Sequence, residues 1–202
     1  VNKSYTDFYI PRIKWTKDAD VLSAQYMNRH QNELDLWFIN AKNNTANLVL
    51  AEKDKAYIDV TFNLTFLKDN SFIWTSEKDG FNHIYHYDKH GKLINQVTKG
   101  NWEVTDYYGF NEKANTIYFQ STENGSINRD VYSIKLSGKN KERLTKAEGT
   151  NSASFSADFT YFINTHSSAT TPPEYTLNNA KSGELVKSIK DNDKLSQKVG
   201  NY

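Results

Sequence analysis

Histidines and carboxylates are the side chains from which this chain could build a reactive centre, because it contains no cysteine. His83, His86 and His90 fall in one short segment, HIYHYDKH. Metal ligands must converge on one ion, but residues three apart on a strand point to opposite faces. His83 and His86 therefore cannot share a metal, and a solvated hairpin is expected there. His30 and His166 stand alone and suit surface or hydrogen-bonded positions. No metal site and no cofactor is expected. Without cysteine there is no thiolate site and no disulfide, and the redox compartment stays unread.

Glu77, Asp79, Glu112, Glu123 and Asp158 lie in turn-like segments at corresponding places along the chain. Carboxylates in such turns cap local backbone groups, and a catalytic pair would break a repeat rather than follow it. Serine hydrolysis needs a nucleophile on a strained strand-to-helix turn, usually G-x-S-x-G, with an acid and a histidine behind it. No such motif occurs. Ser126 in ENGSIN is the nearest serine beside glycine, and it belongs to a hairpin loop, so no catalytic residue is expected. Asn-x-Ser/Thr sequons at Asn2, Asn43, Asn63 and Asn124 matter only in a eukaryotic secretory setting, and the Lys- and Asn-rich composition looks bacterial.

The elements that must position these groups repeat. Trp37, Tyr85, Tyr132 and Tyr175 each open a predicted third strand, and Trp15, Phe66, Phe110 and Phe155 each precede a polar turn. Both series recur about every 45 residues, the period of β-propeller blades with four short strands each. Predicted strands in the clearest unit run over 71–76, 83–88 and 93–98, alternating in polarity as half-buried antiparallel strands do. Turns at Lys78-Asp79-Gly80, Lys89-His90-Gly91, Asn124-Gly125, Ser137-Gly138 and Lys181-Ser182-Gly183 supply glycine where φ must be positive. Four units follow, at about 8–60, 61–108, 109–154 and 155–190, each a meander. Residues 191–202 lose the pattern and suit a polar linker with room for one helical turn.

Composition agrees with an all-β chain: aromatics make up 14% of 202 residues, and there are three prolines. Twenty-five basic and 24 acidic side chains leave a net charge of +1 and alternate along the chain, which argues against a nucleic-acid partner. No window approaches the roughly 20 apolar residues of a membrane span. The first residue, Val1, follows no signal-type apolar run, and the lack of an initiator Met points to an internal piece of a longer exported chain.

The segments FIWTSEKDGFNHIYHYD, TKGNWEVTDYYGF, IYFQSTENG, DVYSIKLSG and FSADFTYFINTHSSATTPPEYTL, with YIPRIKWTKD and residues 27–37 upstream, resemble the propeller of the dipeptidyl peptidase IV family of prolyl oligopeptidase-type serine peptidases, particularly its bacterial members. The resemblance covers almost the whole chain. It implies an all-β fold of about four four-stranded antiparallel blades, the second half of an eight-bladed propeller, leading through residues 191–202 to an α/β-hydrolase domain of the same chain. It further implies a non-catalytic fragment that walls the substrate chamber of an enzyme releasing X-Pro or X-Ala dipeptides from peptide N-termini. The family's paired glutamates, which hold the substrate's amino end, have no counterpart here.

By the same resemblance, Tyr57-Ile58-Asp59-Val60 lies where propeller faces hydrolase, so that Tyr57 and Asp59 line the substrate cleft. Some relatives carry an aromatic and an arginine shortly afterwards, where this chain has Thr61 and Phe62. Tyr57 equally suits an aromatic packed between blades, and Trp102 in KGNWEV is expected to anchor one blade against its neighbour. The expected partners are peptide substrates of the parent enzyme, the hydrolase domain and, through open blade faces, a second copy. A periplasmic, secreted or membrane-anchored bacterial location goes with this reading. The rival is a stand-alone periplasmic propeller that binds a peptide or sugar without catalysis, since a propeller by itself does not fix function.

Overall fold

β-Branched and aromatic runs punctuated by Gly and Asn favour antiparallel hairpins, because a tight reversal brings consecutive strands into register. The computed structural model describes residues 7–199. Among them sixteen strands form four four-stranded antiparallel sheets, each a meander in chain order. The chain divides into two compact units between Gln96 and Val97.

The first unit holds β1 (Phe8–Trp15), β2 (Val21–Asn28), β3 (Glu33–Asn40) and β4 (Ala46–Lys53) in one sheet. Its second sheet comprises β5 (Thr65–Phe66), β6 (Phe72–Ser76), β7 (His83–Tyr87) and β8 (Leu93–Gln96). A shared core joins the two: Met27, Leu34, Leu36 and Phe38 pack with Leu64, Phe66, Phe72, Trp74, Tyr85 and Tyr87. Phe72 stacks on Tyr87 at 5.3 Å, and Phe38 meets Phe66 and Phe72 edge-on at 5.6 and 5.9 Å. Such pairs add about 0.5–1.5 kcal/mol each beyond their buried area.

The second unit holds β9 (Val104–Asn111), β10 (Thr116–Ser121), β11 (Asp130–Lys135) and β12 (Glu142–Arg143), then β13 (Thr150–Phe155), β14 (Tyr161–Ser167), β15 (Glu174–Asn179) and β16 (Leu185–Lys190). Tyr118 and Val131 of its first sheet pack with Leu144, Phe162 and Ala180, and Tyr108, Ala153, Phe155 and Phe159 lie against them. A helix, α1 (Asp193–Val199), follows. Among the described residues no helix is long and apolar enough to cross a membrane.

The aromatic landmarks fall on equivalent strands. Trp37, Tyr85, Tyr132 and Tyr175 lie inside the third strands β3, β7, β11 and β15, and Trp15, Phe66, Phe110 and Phe155 stand at or beside the ends of the first strands. Because the second series marks strand ends, the last two sheets begin at Val104 and Thr150, ahead of the unit starts at 109 and 155 that the spacing suggests. The predicted turn glycines all have positive φ. Gly91 is the tightest: at φ 83°, a Cβ there would stand 1.7 Å from the Val49 carbonyl oxygen.

One expectation fails. β6 and β7 are not half-buried, since every residue of both strands is buried. His83 and His86 are 0% and 8% exposed, so the expected solvated hairpin is confined to its tip at His90. Alternation along a strand tells its two faces apart but does not say whether both are covered. Polar groups on such strands must find partners inside the protein.

Candidate functional site

Tyr57 and Asp59 lie on the connection between β4 and β5. This long connection, residues 54–64, is held by backbone bonds. Asp54 N donates to Asn32 O at 3.0 Å and Ile58 N to Gln31 O at 2.9 Å, while the Asp54 carboxylate caps Ala56 N at 2.8 Å. Further along, Gln25 Nε2 donates to Thr61 O at 3.1 Å, and the Thr61 and Thr75 hydroxyls bond at 2.8 Å. Alternation then sorts the side chains: Ile58 and Val60 pack against the core, whereas Tyr57 and Asp59 face outward and are exposed. Tyr57 is 51% exposed and Phe62 is 71% exposed. Among the described residues Tyr57 therefore lies at the surface.

Ser71, His86 and Asp69 meet in a way that superficially suits a nucleophile and its base. Ser71 Oγ donates to Asp69 Oδ1 at 2.6 Å and lies 3.0 Å from His86 Nε2. The serine has one proton, and it is committed to the carboxylate, so His86 Nε2 must be the donor to Ser71 Oγ. That polarity is the reverse of proton abstraction. Burial also pushes the His86 pKa down, against the pull of Asp69 and the Asn95 hydrogen bond. Ser71 is 3% exposed, which closes it to a substrate. The cluster fastens β6 to β7.

Three of the repeated carboxylates, Asp158, Glu123 and Asp79, make side-chain contacts within the protein. Asp158 accepts from Ser156 Oγ at 2.7 Å, Thr160 N at 3.0 Å and Thr160 Oγ1 at 2.6 Å. These bonds, led by the Thr160 hydroxyl, hold its carboxyl down to about 2. Glu123 pairs with Lys141, whose ammonium stands 4.9 Å over the Trp102 ring. Asp79 accepts from Gln96 Nε2. Ser126 is exposed in the loop between β10 and β11. Among the described residues no group of three or more His, Asp or Glu could hold a metal ion.

The Trp102 ring stacks at 6.3 Å and 10° on Phe119 of β10, in the sheet that follows it. Asn2, the first sequon, lies outside the described residues.

Two groupings arise only in the folded chain. One is a cavity where Arg12, Lys14, Ser23 and Gln25 meet Thr61 and Phe62. The other is the buried Asp130, whose Oδ2 lies 3.0 Å from Arg143 Nη2 and whose Oδ1 accepts from Thr145 Oγ1 at 3.0 Å. The spacing of Asp35, His83 and Asp130, each two residues before a landmark aromatic, was the available signal: all three are at least 98% buried.

The family model of the dipeptidyl peptidase IV N-terminal region matches residues 1–173. The chain belongs to that family. Across its whole length it is similar to the crystal structure of Porphyromonas gingivalis dipeptidyl peptidase 4, at 37% identity and a TM-score of 0.90, covering 29% of that chain. Similarity to a putative dipeptidyl aminopeptidase IV from Bacteroides ovatus, at 24% identity and a TM-score of 0.81 over 94% of this chain and 30% of that one, supports the fold. A probable dipeptidyl peptidase 4 of Aspergillus flavus is 27% identical over 98% of this chain and 27% of its own length. The chain spans about a quarter of the length of such curated relatives. Within the dipeptidyl peptidase IV family, the all-β reading holds: the four meanders are blades of a half β-propeller of the N-terminal domain.

Proposed function

We propose that these blades form a non-catalytic wall of the substrate-access chamber in a longer serine-type dipeptidyl peptidase that releases X-Pro or X-Ala dipeptides from peptide N-termini. The observation that carries this reading is the likeness of the entire chain to part of the Porphyromonas gingivalis enzyme. The residues themselves support a passive role, since they contain no nucleophile elbow and their serine–histidine contact is buried with its proton pointing the wrong way. A hydrolase domain elsewhere in the same protein would supply the nucleophile. The blades would admit unfolded peptide ends and turn away folded proteins.

Tyr57 and Asp59 are the cleft-lining pair in this proposal. Their outward, exposed placement on a loop pinned to the β2–β3 turn supports it. A bacterial envelope or secreted location completes the reading; osmotic-shock fractionation that leaves the intact protein in the cytoplasm would overturn that part.

The experiment compares the intact protein with the 202-residue chain on a prolyl dipeptide reporter. The intact protein is expected to hydrolyse it and the chain to be inert. Hydrolysis by the chain, or none by the intact protein, would overturn the proposal. In the intact protein, Tyr57→Ala and Asp59→Asn are expected to raise KM for peptides of six or more residues by more than for the dipeptide reporter.

A further inference from the structure

Within the β4–β5 connection, residues 61–64 close a cavity of about 190 Å³ against β1 and β2. Strand register explains its lining. Arg12 pairs with Gln25 and Lys14 with Ser23 across the β1–β2 ladder, so all four side chains leave the same face of the sheet. A register shift between Tyr9 and Arg12 precedes them, and such bulges re-aim the side chains that follow.

Both kinds of hydrogen-bonding capacity are left over among the side chains that line this cavity. The Arg12 guanidinium carbon stands 3.6 Å over the Phe62 ring centroid. One of its terminal nitrogens donates to Pro11 O, while its buried Nε has no acceptor. Gln25 is 3% exposed; its Nε2 is used on Thr61 O, and its Oε1 has no donor. Lys14 Nζ donates to Leu64 O at 2.6 Å and keeps further N–H capacity. Among the described residues no carboxylate forms an ion pair with Arg12 or Lys14. Buried polar atoms without partners are costly, so the fitting ligand brings an acceptor for Arg12 and a donor for Gln25.

We propose that this cavity is a subsite for an acidic residue of a bound peptide, its carboxylate held by Arg12 and Lys14 and its backbone N–H accepted by Gln25 Oε1. Size favours a single side chain, because sites for whole small molecules occupy roughly 300–1,000 Å³. Geometry favours a carboxylate, since a guanidinium presents parallel N–H donors that match its two oxygens. Phe62 covers one face of the guanidinium. The inference deepens the chamber-wall reading and rests on it for the peptide that passes this loop.

The test titrates the intact protein with N-acetyl-glutamate N-methylamide and with its neutral glutamine counterpart. The acidic probe is expected to bind at least about tenfold more tightly, a difference of roughly 1.4 kcal/mol. Arg12→Gln is expected to abolish that preference, and Gln25→Leu to weaken both probes, with unchanged circular dichroism as the folding control. Phe62→Ala, on an exposed loop residue, gives a second variant and is expected to reduce the preference. Equal affinity for the two probes, a preference that survives Arg12→Gln, or acetate competing as strongly as the acidic probe would overturn the subsite. Kinetics separate it from the parent reading: if the acidic probe binds as expected but Arg12→Gln leaves KM for acidic peptides unchanged, the subsite stands and the chamber-wall role fails.

Discussion

The indole N–H of Trp74 donates to Glu52 Oε1 at 3.0 Å, tying the second strand of one sheet to the last strand of the sheet before it. Burial raises the Glu52 pKa, and the bonds from Ser76 and Trp74 and the charge of Lys78 only partly offset it.

That shift sets the sign of a pH effect. Between the ordinary glutamate pKa and the raised folded value, the folded state holds the proton more often than the unfolded state does, so stability falls as pH rises through this window. Glu52→Gln keeps an acceptor for Trp74 and removes the titration. Urea midpoints measured across about pH 4 to 8 are expected to flatten in the variant, with stability at neutral pH equal to or above that of the parent sequence. A steeper pH dependence in Glu52→Gln would refute the assignment.

Asp130 is fully buried and receives bonds from Arg143, Thr145 and Asn151. Replacing it with Ala strips a charge partner from Arg143 and an acceptor from two other residues. A loss of about 3 kcal/mol is expected, at the low end for a buried pair because the Arg143 side chain is 30% exposed. Chemical denaturation measures it, and Asp130→Asn is expected to lose less.

Gly109 and Phe159 make a notch and its occupant. Gly109 has φ 137°, and a Cβ there would come within 2.8 Å of Phe159 Cζ. Phe159 itself sits at φ 55° and stacks on Tyr118 at 5.2 Å. Gly109→Ala is expected to cost about 1–3 kcal/mol through backbone strain and the clash. In a Phe159→Ala background the clash disappears, so the same substitution is expected to cost less, and a double-mutant cycle reads the difference.

Ser71→Ala tests the apparent nucleophile. It is expected to leave peptidase activity of the intact protein unchanged and to cost on the order of 1 kcal/mol of stability. A fluorophosphonate probe is expected not to label the 202-residue chain; labelling at Ser71 would contradict the proton assignment.

Much of the architecture was written locally. The period of the aromatics, the strands β2, β3 and β10, and the glycine turns follow from propensities and alternation that act over a few residues. The last two blades begin ahead of the positions that the spacing suggests, because Phe110 and Phe155 stand near the ends of their first strands. Tyr57 could be named but not oriented, since its outward direction depends on Ile58 and Val60 reaching the core.

The sequence by itself determined how the chain breaks into hairpins, because backbone pairing and turn geometry are decided among near neighbours. Only the tertiary structure decided what covers each face. It buried His83 and His86 on a strand that alternates as if half-exposed, and it brought Phe62 over Arg12 across 49 intervening positions of the chain. The physical reason is that alternation assigns a side chain to a face, whereas burial, charge pairing and unmet hydrogen bonds depend on which distant segment packs against that face.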